Sequence, residues 1–194
     1  MELLKNRIRK DGKVAEGDVL KVDSFLNHQL DVGLLKSIGE EFYRLYKDDN
    51  VTKILTIEAS GISIACMAAL AFDCPVVFAK KTKTINISGE IYRHEVRSYT
   101  HGRTYEITVS KDFIKPGDRI LIIDDFLAMG NALEALVSIV ENAGATVVGA
   151  GIAIEKSYQP GRERLTKHGL RIESLARIDH MSPETGVHFV DDNV

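Results

Sequence analysis

The chain has 194 residues, 44% of them hydrophobic and 27% charged, enough apolar material for a real core and too much for a disordered chain. Lys plus Arg number 25 against 28 Asp plus Glu, a formal charge of −3, so neither a basic excess nor a basic stripe points to nucleic acid as a partner. No apolar run approaches the roughly 20 residues of a membrane helix, which leaves no membrane partner to expect.

The N-terminal segment MELLKNRIRKDGKVAEG has neither the apolar stretch nor the cleavage site of a signal peptide, which points to a cytoplasmic soluble protein. Residues 2–10 suit a short helix. Asp31 stands in N-cap position before an amphipathic segment whose Leu34, Leu35, Ile38, Phe42 and Leu45 recur at steps of three and four. VTKILTIEA (51–59) reads as a strand, ISIACMAALAF (62–72) as a helix of small residues, and VVFA (76–79) as a strand opened by Pro75, together a parallel βαβ unit. Cys66 and Cys74 lie in apolar surroundings and are read as buried reduced thiols, too few for a disulfide framework or a zinc cage.

From Lys80 to Lys115 the chain turns polar. IYRHEVRSY (91–99) and TYEITVS (104–110) alternate, and the spacing predicts an extended hairpin with a mobile tip. After the turn at 115–118, RILIID (119–124) is a strand apolar on both faces. NALEALVSIVENA (131–143) places Ala132, Leu136, Ile139 and Ala143 on one helical face, and Gly144 stops it. ATVVGAGIAIE (145–155) is another buried strand, followed by a helix near 161–168, a strand near 170–178 and the short piece VHFV (187–190). The fold class is α/β with a central parallel sheet flanked by helices. No repeat or linker divides it, so residues 1–194 are read as a single domain.

The chemistry concentrates in RILIIDDFLAMGNALEAL (119–136). An apolar strand ends in two carboxylates, Asp124 and Asp125, and a short loop through Ala128 and Gly130 opens a helix. Ligands of an open α/β sheet gather beyond such strand ends, and the helix start supplies unpaired N–H groups for an anion. Carboxylates for hydroxyls and a loop for phosphate suit a sugar phosphate. The same pattern also occurs as a plain βα turn, with one Asp capping and the other solvated. The six histidines are scattered without metal-ligand spacing, so no metal held by the protein alone is expected.

ILIIDDFLAMGNA resembles the phosphoribosyl-pyrophosphate motif of type I phosphoribosyltransferases, with Met129 where the family commonly has Thr, Asn131 where it has Gly and Ala132 where it has Thr. The resemblance makes Asp124 and Asp125 the catalytic pair that holds the ribose hydroxyls, and Ala128, Met129, Gly130, Asn131 and Ala132 the phosphate loop. With the hydroxyls missing, backbone N–H groups and the Asn131 amide must do more of the binding. TIEASGI (56–62) resembles the family's pyrophosphate loop, here with Ser60 beside Gly61, and FAKK (78–81) its basic pair, Lys80 and Lys81. Standing alone, the first reads as a turn and the second as a solvated charge pair. The hairpin from 82 to 110 corresponds to the flexible loop that closes over the site, which would exclude water from a reactive sugar cation.

LKVDSFLNHQ (20–29) and IEKSYQPGRERL (154–165) are similar to xanthine phosphoribosyltransferases, a similarity extending over nearly the whole chain. It implies that Leu20, Asn27 and Lys156 contact the purine, in a small hood formed by residues 1–50 and 156–194. On residue type alone, Asn27 reads as a turn residue and Lys156 as a surface lysine. The implied activity is transfer of the 5-phosphoribosyl group from phosphoribosyl pyrophosphate to xanthine in purine salvage. Mg²⁺ would be carried by the substrate, and the chain would act as a homodimer. The alternatives are an enzyme for guanine, hypoxanthine or adenine, and a non-catalytic regulator that binds phosphoribosyl pyrophosphate and nucleic acid.

Overall fold

A computed structural model of the chain describes residues 1–81, 89–97 and 104–190. Helix α1 (Glu2–Asp11) leads into a hairpin of β1 (Lys13–Ala15) and β2 (Val19–Lys21), a π-turn over Asp23–Asn27, and helix α2 (Val32–Tyr46). Asp31 caps α2, its carboxylate accepting the Leu34 N–H at 3.1 Å. There follow β3 (Lys53–Ile57), α3 (Gly61–Phe72), β4 (Val76–Ala79), β5 (Ile91–Arg97), β6 (Thr104–Ser110), β7 (Arg119–Leu127), α4 (Asn131–Asn142), β8 (Thr146–Lys156), α5 (Gly161–Thr166), β9 (Ile172–Ser182) and β10 (Gly186–Phe189).

Six of the strands form one sheet in the order β10-β9-β8-β7-β3-β4, parallel throughout except for β10 at the edge. The chain leaves β3 for β4 on one side, then returns past β3 to lay down β7, β8 and β9 on the other. Strand order therefore reverses between β3 and β7, and their carboxyl ends open a crevice where ligands of such sheets bind.

The period-2 alternation of the buried strands sorts their side chains into two cores. Ile54, Leu121 and Ile123 join the residues of α1, α2 and α3 on one face. Leu55, Ile120 and Ile122 join those of α4 and the β5–β6 hairpin on the other. Strand β8 carries glycine where α2 crosses it: a Cβ on Gly151 would stand 2.7 Å from the Phe42 ring. The next turn of α2 buries Tyr46, whose hydroxyl donates to the Ala150 carbonyl at 2.9 Å.

The observed elements depart from the sequence pattern at several points. Strand β7 continues to Leu127, pairing Phe126 and Leu127 with Ile154 and Glu155, because β8 itself extends to Lys156; Asp124 and Asp125 thus lie within the strand. Strand β9 runs on to Ser182 because β10 folds back along it. The buried face of α4 is Leu133, Ala135, Leu136, Ile139 and Val140, with Ala132 only half-buried. Leu45 is half-buried, and Tyr46 takes the deeper position. Helix α3 turns Ile64, Ala65, Ala68 and Ala69 inward, which leaves Cys66 exposed and Cys74 half-buried; both are free thiols.

Strands β5 and β6 pair antiparallel from Ile91↔Ser110 to Arg97↔Thr104, and a bridge between Lys80 and Thr108 ties the hairpin to β4. The remainder of the expected hairpin, 82–88 and 98–103 with its tip, lies outside the described residues. Among the described residues no helix is long and apolar enough to cross a membrane.

Phe42 is fully buried between α2 and β8. Phe42→Ala should cost about 3–5 kcal/mol in chemical denaturation, because the glycine opposite offers no side chain to fill the void. A loss no larger than that of an exposed substitution would contradict this packing.

Candidate functional site

Strand β3 passes through a short turn into α3, with a cis peptide between Glu58 and Ala59. This turn lies hard against β7. A Cβ on Gly61 would meet Thr56 Oγ1 at 2.2 Å and Asp124 Oδ1 at 3.2 Å, so only glycine fits there. Thr56 Oγ1 is buried and meets no partner among the described residues. Ser60 is the N-cap of α3, with its side chain making no capping bond. Glu58 accepts the Lys81 N–H at 2.5 Å, which joins the ends of β3 and β4.

Alternation sends Lys80 and Lys81 to different places. The Lys80 backbone pairs with Thr108, and its side chain lines a cavity of about 660 Å³ along the β4 edge with Val76, Phe78 and Phe113. Lys81 is exposed, its ammonium 5.9 Å from the centre of the Tyr105 ring, and its charge acts on Asp124.

Within the last half of β7, Asp124 is 7% exposed and its Oδ1 accepts the Asp125 N–H at 2.9 Å. Asp125 is half-buried, and its own Oδ1 accepts the Phe126 N–H at 3.0 Å. Burial raises the Asp124 carboxyl well above the usual carboxylate range; the neighbouring Asp125 charge adds to this and Lys81 partly offsets it. Beyond the pair, the chain turns at Gly130 (φ +83°), the N-cap of α4, so the first N–H groups of that helix face the crevice end of the sheet. Helix α5 closes this loop from outside: Gly161 donates its N–H to the Ala128 carbonyl at 3.0 Å, and Arg164 donates to the Met129 carbonyl at 2.7 Å.

A second cavity, of about 460 Å³, opens beside the loop. Its walls are Gly17, Asp18, Val19 and Leu20 of the β1–β2 hairpin, facing Phe126, Ala128, Met129, Lys156 and Gln159. Asp18 latches the two sides together. Its carbonyl accepts from Lys156 Nζ, and its carboxylate accepts from the Tyr158 hydroxyl at 2.6 Å and Gln159 Nε2 at 2.8 Å. Burial pushes the Lys156 ammonium down, and the Asp18 charge pulls it back up. Beneath Lys156, the buried Glu155 accepts from Arg162 Nε at 2.8 Å and Nη2 at 2.6 Å, and bonds Ser174 as well. Burial alone would raise this carboxyl, but the Arg162 fork and Ser174 hold it below its ordinary value.

Asn27 ends the π-turn, anchored by the fully buried Phe25 and Leu26. Its Oδ1 is buried and meets no partner among the described residues.

The structure therefore brings Leu20, Lys156, Ala128 and Met129 around one cavity, and Ser60, Gly61, Lys81 and Asp124 around the β3–β7 crevice. Lys80 faces the β4 edge, and Asn27 is outside the lining of the second cavity. Sequence reading missed Phe126, Asp18, Gln159 and Arg164. Phe126 carried a signal, since it is the next apolar residue after the acidic pair; Asp18 and Arg164 sit in polar runs that carried none. Chemically, the arrangement offers oxygen acceptors, an N–H cradle for an anion and an apolar slot ending in an ammonium.

A phosphoribosyl transferase domain matches residues 22–174. A xanthine phosphoribosyltransferase from Lachnoclostridium phytofermentans is 57% identical over 186 residues, covering 96% of each chain. Another, from Ruminiclostridium cellulolyticum, is 55% identical over 93% of this chain and 95% of that one. Among solved structures, an adenine phosphoribosyltransferase from Rhodothermus marinus is 24% identical with a TM-score of 0.76, covering 92% of this chain and all of that one. That likeness establishes the fold.

A buried acid whose value is raised in the folded state opposes folding once the pH exceeds its unfolded value, and costs nothing below it. Asp124→Asn should therefore raise the melting midpoint at pH 7, with the advantage shrinking as the pH falls below the raised folded value and gone by the ordinary Asp range near 3.8. A midpoint lowered at pH 7 would show that the charge is stabilised in the folded protein.

Proposed function

The chain belongs to the phosphoribosyl transferase family, and we propose that it transfers the 5-phosphoribosyl group from phosphoribosyl pyrophosphate to xanthine, giving xanthosine 5′-monophosphate and pyrophosphate in purine salvage. The observation that carries the site assignment is the adjacency of the loop 128–131 to both the Asp124–Asp125 pair and the cavity closed by Leu20, Phe126 and Lys156. One sugar phosphate can reach the pair and the loop while a flat base occupies the cavity.

In this reading the bond from the sugar carbon to the pyrophosphate oxygen breaks, and its electron pair leaves with pyrophosphate. A purine ring nitrogen forms the new bond, and its proton passes to solvent. The protein positions the reactants and stabilises charge, so no covalent intermediate is required. Asp124 and Asp125 accept from the ribose hydroxyls. The N–H groups of Met129, Gly130, Asn131 and Ala132 hold the phosphate, while Ser60, Gly61 and Lys81 meet the pyrophosphate, with Lys80 a more distant partner. The two adjacent carboxylates supply hard oxygen donors, and no third acidic, His or Cys side chain joins them in a cluster among the described residues. That set fits a Mg²⁺ ion taking its remaining ligands from substrate and water, and the bound ion would offset charge on the pyrophosphate.

Leu20 and Phe126 flank the base. The Lys156 ammonium has three donors; with one spent on the Asp18 carbonyl, two are left for the 6-carbonyl of an oxopurine and its neighbour. It cannot accept from the amino group of adenine. Asn27, outside the lining of that cavity, would read the 2-position from its far side, its amide Nδ2 donating to the 2-carbonyl. The family's homodimer completes the reading: exposed Leu70 and Phe113 border two neighbouring cavities that share Pro75 and Val76, an apolar edge a second copy would cover.

Steady-state kinetics on xanthine, guanine, hypoxanthine and adenine test the assignment. Xanthine should be preferred, and Lys156→Met should cost about 1.5–3 kcal/mol in kcat/KM for it, the worth of a hydrogen bond to a charged donor. A wild-type preference for adenine, or intact xanthine turnover in Lys156→Met, overturns the base-recognition half of the reading.

A further inference from the structure

Residues 128–130 carry three carbonyls and Asn131 an amide oxygen, and all four acceptors are engaged by the protein. The Ala128 carbonyl accepts from Gly161 N–H at 3.0 Å, and the Gly130 carbonyl from Glu134 N–H at 2.9 Å. The other two, the Met129 carbonyl and Asn131 Oδ1, accept from the same nitrogen of Arg164, at 2.7 and 2.9 Å. The second arm of that guanidinium donates to Glu134 at 2.7 Å. Backbone donors provide the first pair of bonds. The second pair depends on one side chain from α5.

An anion cradle works by presenting donors; an oxygen turned toward the phosphate repels it. Asn131 brings that hazard with it, because an amide can face a ligand with either its oxygen or its NH₂. A cation on Oδ1 fixes the choice. We propose that Arg164 is a positioning residue of the sugar-phosphate site: by holding the Met129 carbonyl and the Asn131 amide oxygen on the α5 side, it keeps the loop's donors toward the phosphate. It touches no reacting atom. The inference rests on reading 128–132 as the phosphate cradle. It also explains how a loop with Met129 and Asn131 in place of the family's usual Thr and Gly can still bind an anion.

Arg164 is 40% exposed and its partner Glu134 51%, and exposed pairs of this kind contribute little to folding. Arg164→Met keeps the apolar stem and removes the donors, so the folded state should survive. Calorimetry on wild type, Arg164→Met and Arg164→Lys, with xanthosine 5′-monophosphate and inorganic pyrophosphate as separate probes in Mg²⁺, reads the effect. Arg164→Met should weaken the nucleotide about tenfold, the equivalent of one charge-assisted hydrogen bond, and raise KM for phosphoribosyl pyrophosphate with a smaller change in kcat. Pyrophosphate affinity and the melting midpoint should stay as in wild type. Arg164→Lys, keeping charge but not the fork, should recover part of the loss. Unchanged nucleotide affinity in Arg164→Met overturns the inference. So does equal weakening of both probes or a fallen midpoint, the marks of a merely structural role. Failure of the wild-type protein to bind the nucleotide would instead sink the functional reading along with it.

Discussion

The site depends on one close approach, that of Gly161 to the loop after β7. A Cβ at Gly161 would fall 2.2 Å from the Ala128 carbonyl and 2.9 Å from the Gly130 nitrogen. Gly130 answers it, since a Cβ there would meet Gly161 Cα and Leu165 Cδ1 at 3.1 Å. Two glycines from separate βα units thus let the loop after β7 rest on the start of α5. Because α5 follows directly on the end of β8 at Lys156 and the short loop with Gln159, the same contact sets the spacing between the loop after β7 and the cavity beside it. Most of what the proposed reaction must align is therefore held at the ends of two neighbouring parallel strands, β7 and β8, and the loops that follow them.

A second constraint is electrostatic. Two carboxylates stand side by side at the crevice, and one is buried enough that its charged form is disfavoured. A protein selected for stability alone would not place them there. The cost makes sense where a cationic or hydroxyl-bearing ligand supplies the missing partners, the usual situation at functional sites. The unpartnered Thr56 hydroxyl and Asn27 oxygen have the same character: each is a buried polar atom whose partner is not in the chain among the described residues.

Much of the sheet was readable from the sequence because its strands are apolar runs, the central ones buried on both faces, and the βα turns are marked by glycine. RILIID announces itself in this way, VVFA as an apolar run at the half-buried edge, and Asp31 announces the start of α2. The limits of elements were less legible, since β7 extends through two carboxylates by pairing with β8, a long-range contact that local pattern does not encode. In the site, the acidic pair and the loop stood out through their spacing. Leu20, Asn27 and Lys156 were identified through resemblance alone, as residues of their type occur anywhere on a surface. Asp18 and Arg164 were silent because their roles come from bonds across 138 residues to Lys156 and 35 residues to Met129. Cys66 misled, because a helix of small residues looks buried all round while only one face of α3 meets the sheet.

The central claim is that sugar phosphate and purine occupy adjoining compartments at the carboxyl ends of β3, β7 and β8. A crystal structure with xanthosine 5′-monophosphate bound tests it most directly. The account predicts the 5′-phosphate on the N–H groups of residues 129–132, the ribose hydroxyls on Asp124 and Asp125, and the base between Leu20 and Phe126 with Lys156 at its 6-carbonyl. A phosphate seated beside Lys80 in the β4-edge cavity, or a base outside the cavity closed by Asp18, would contradict it.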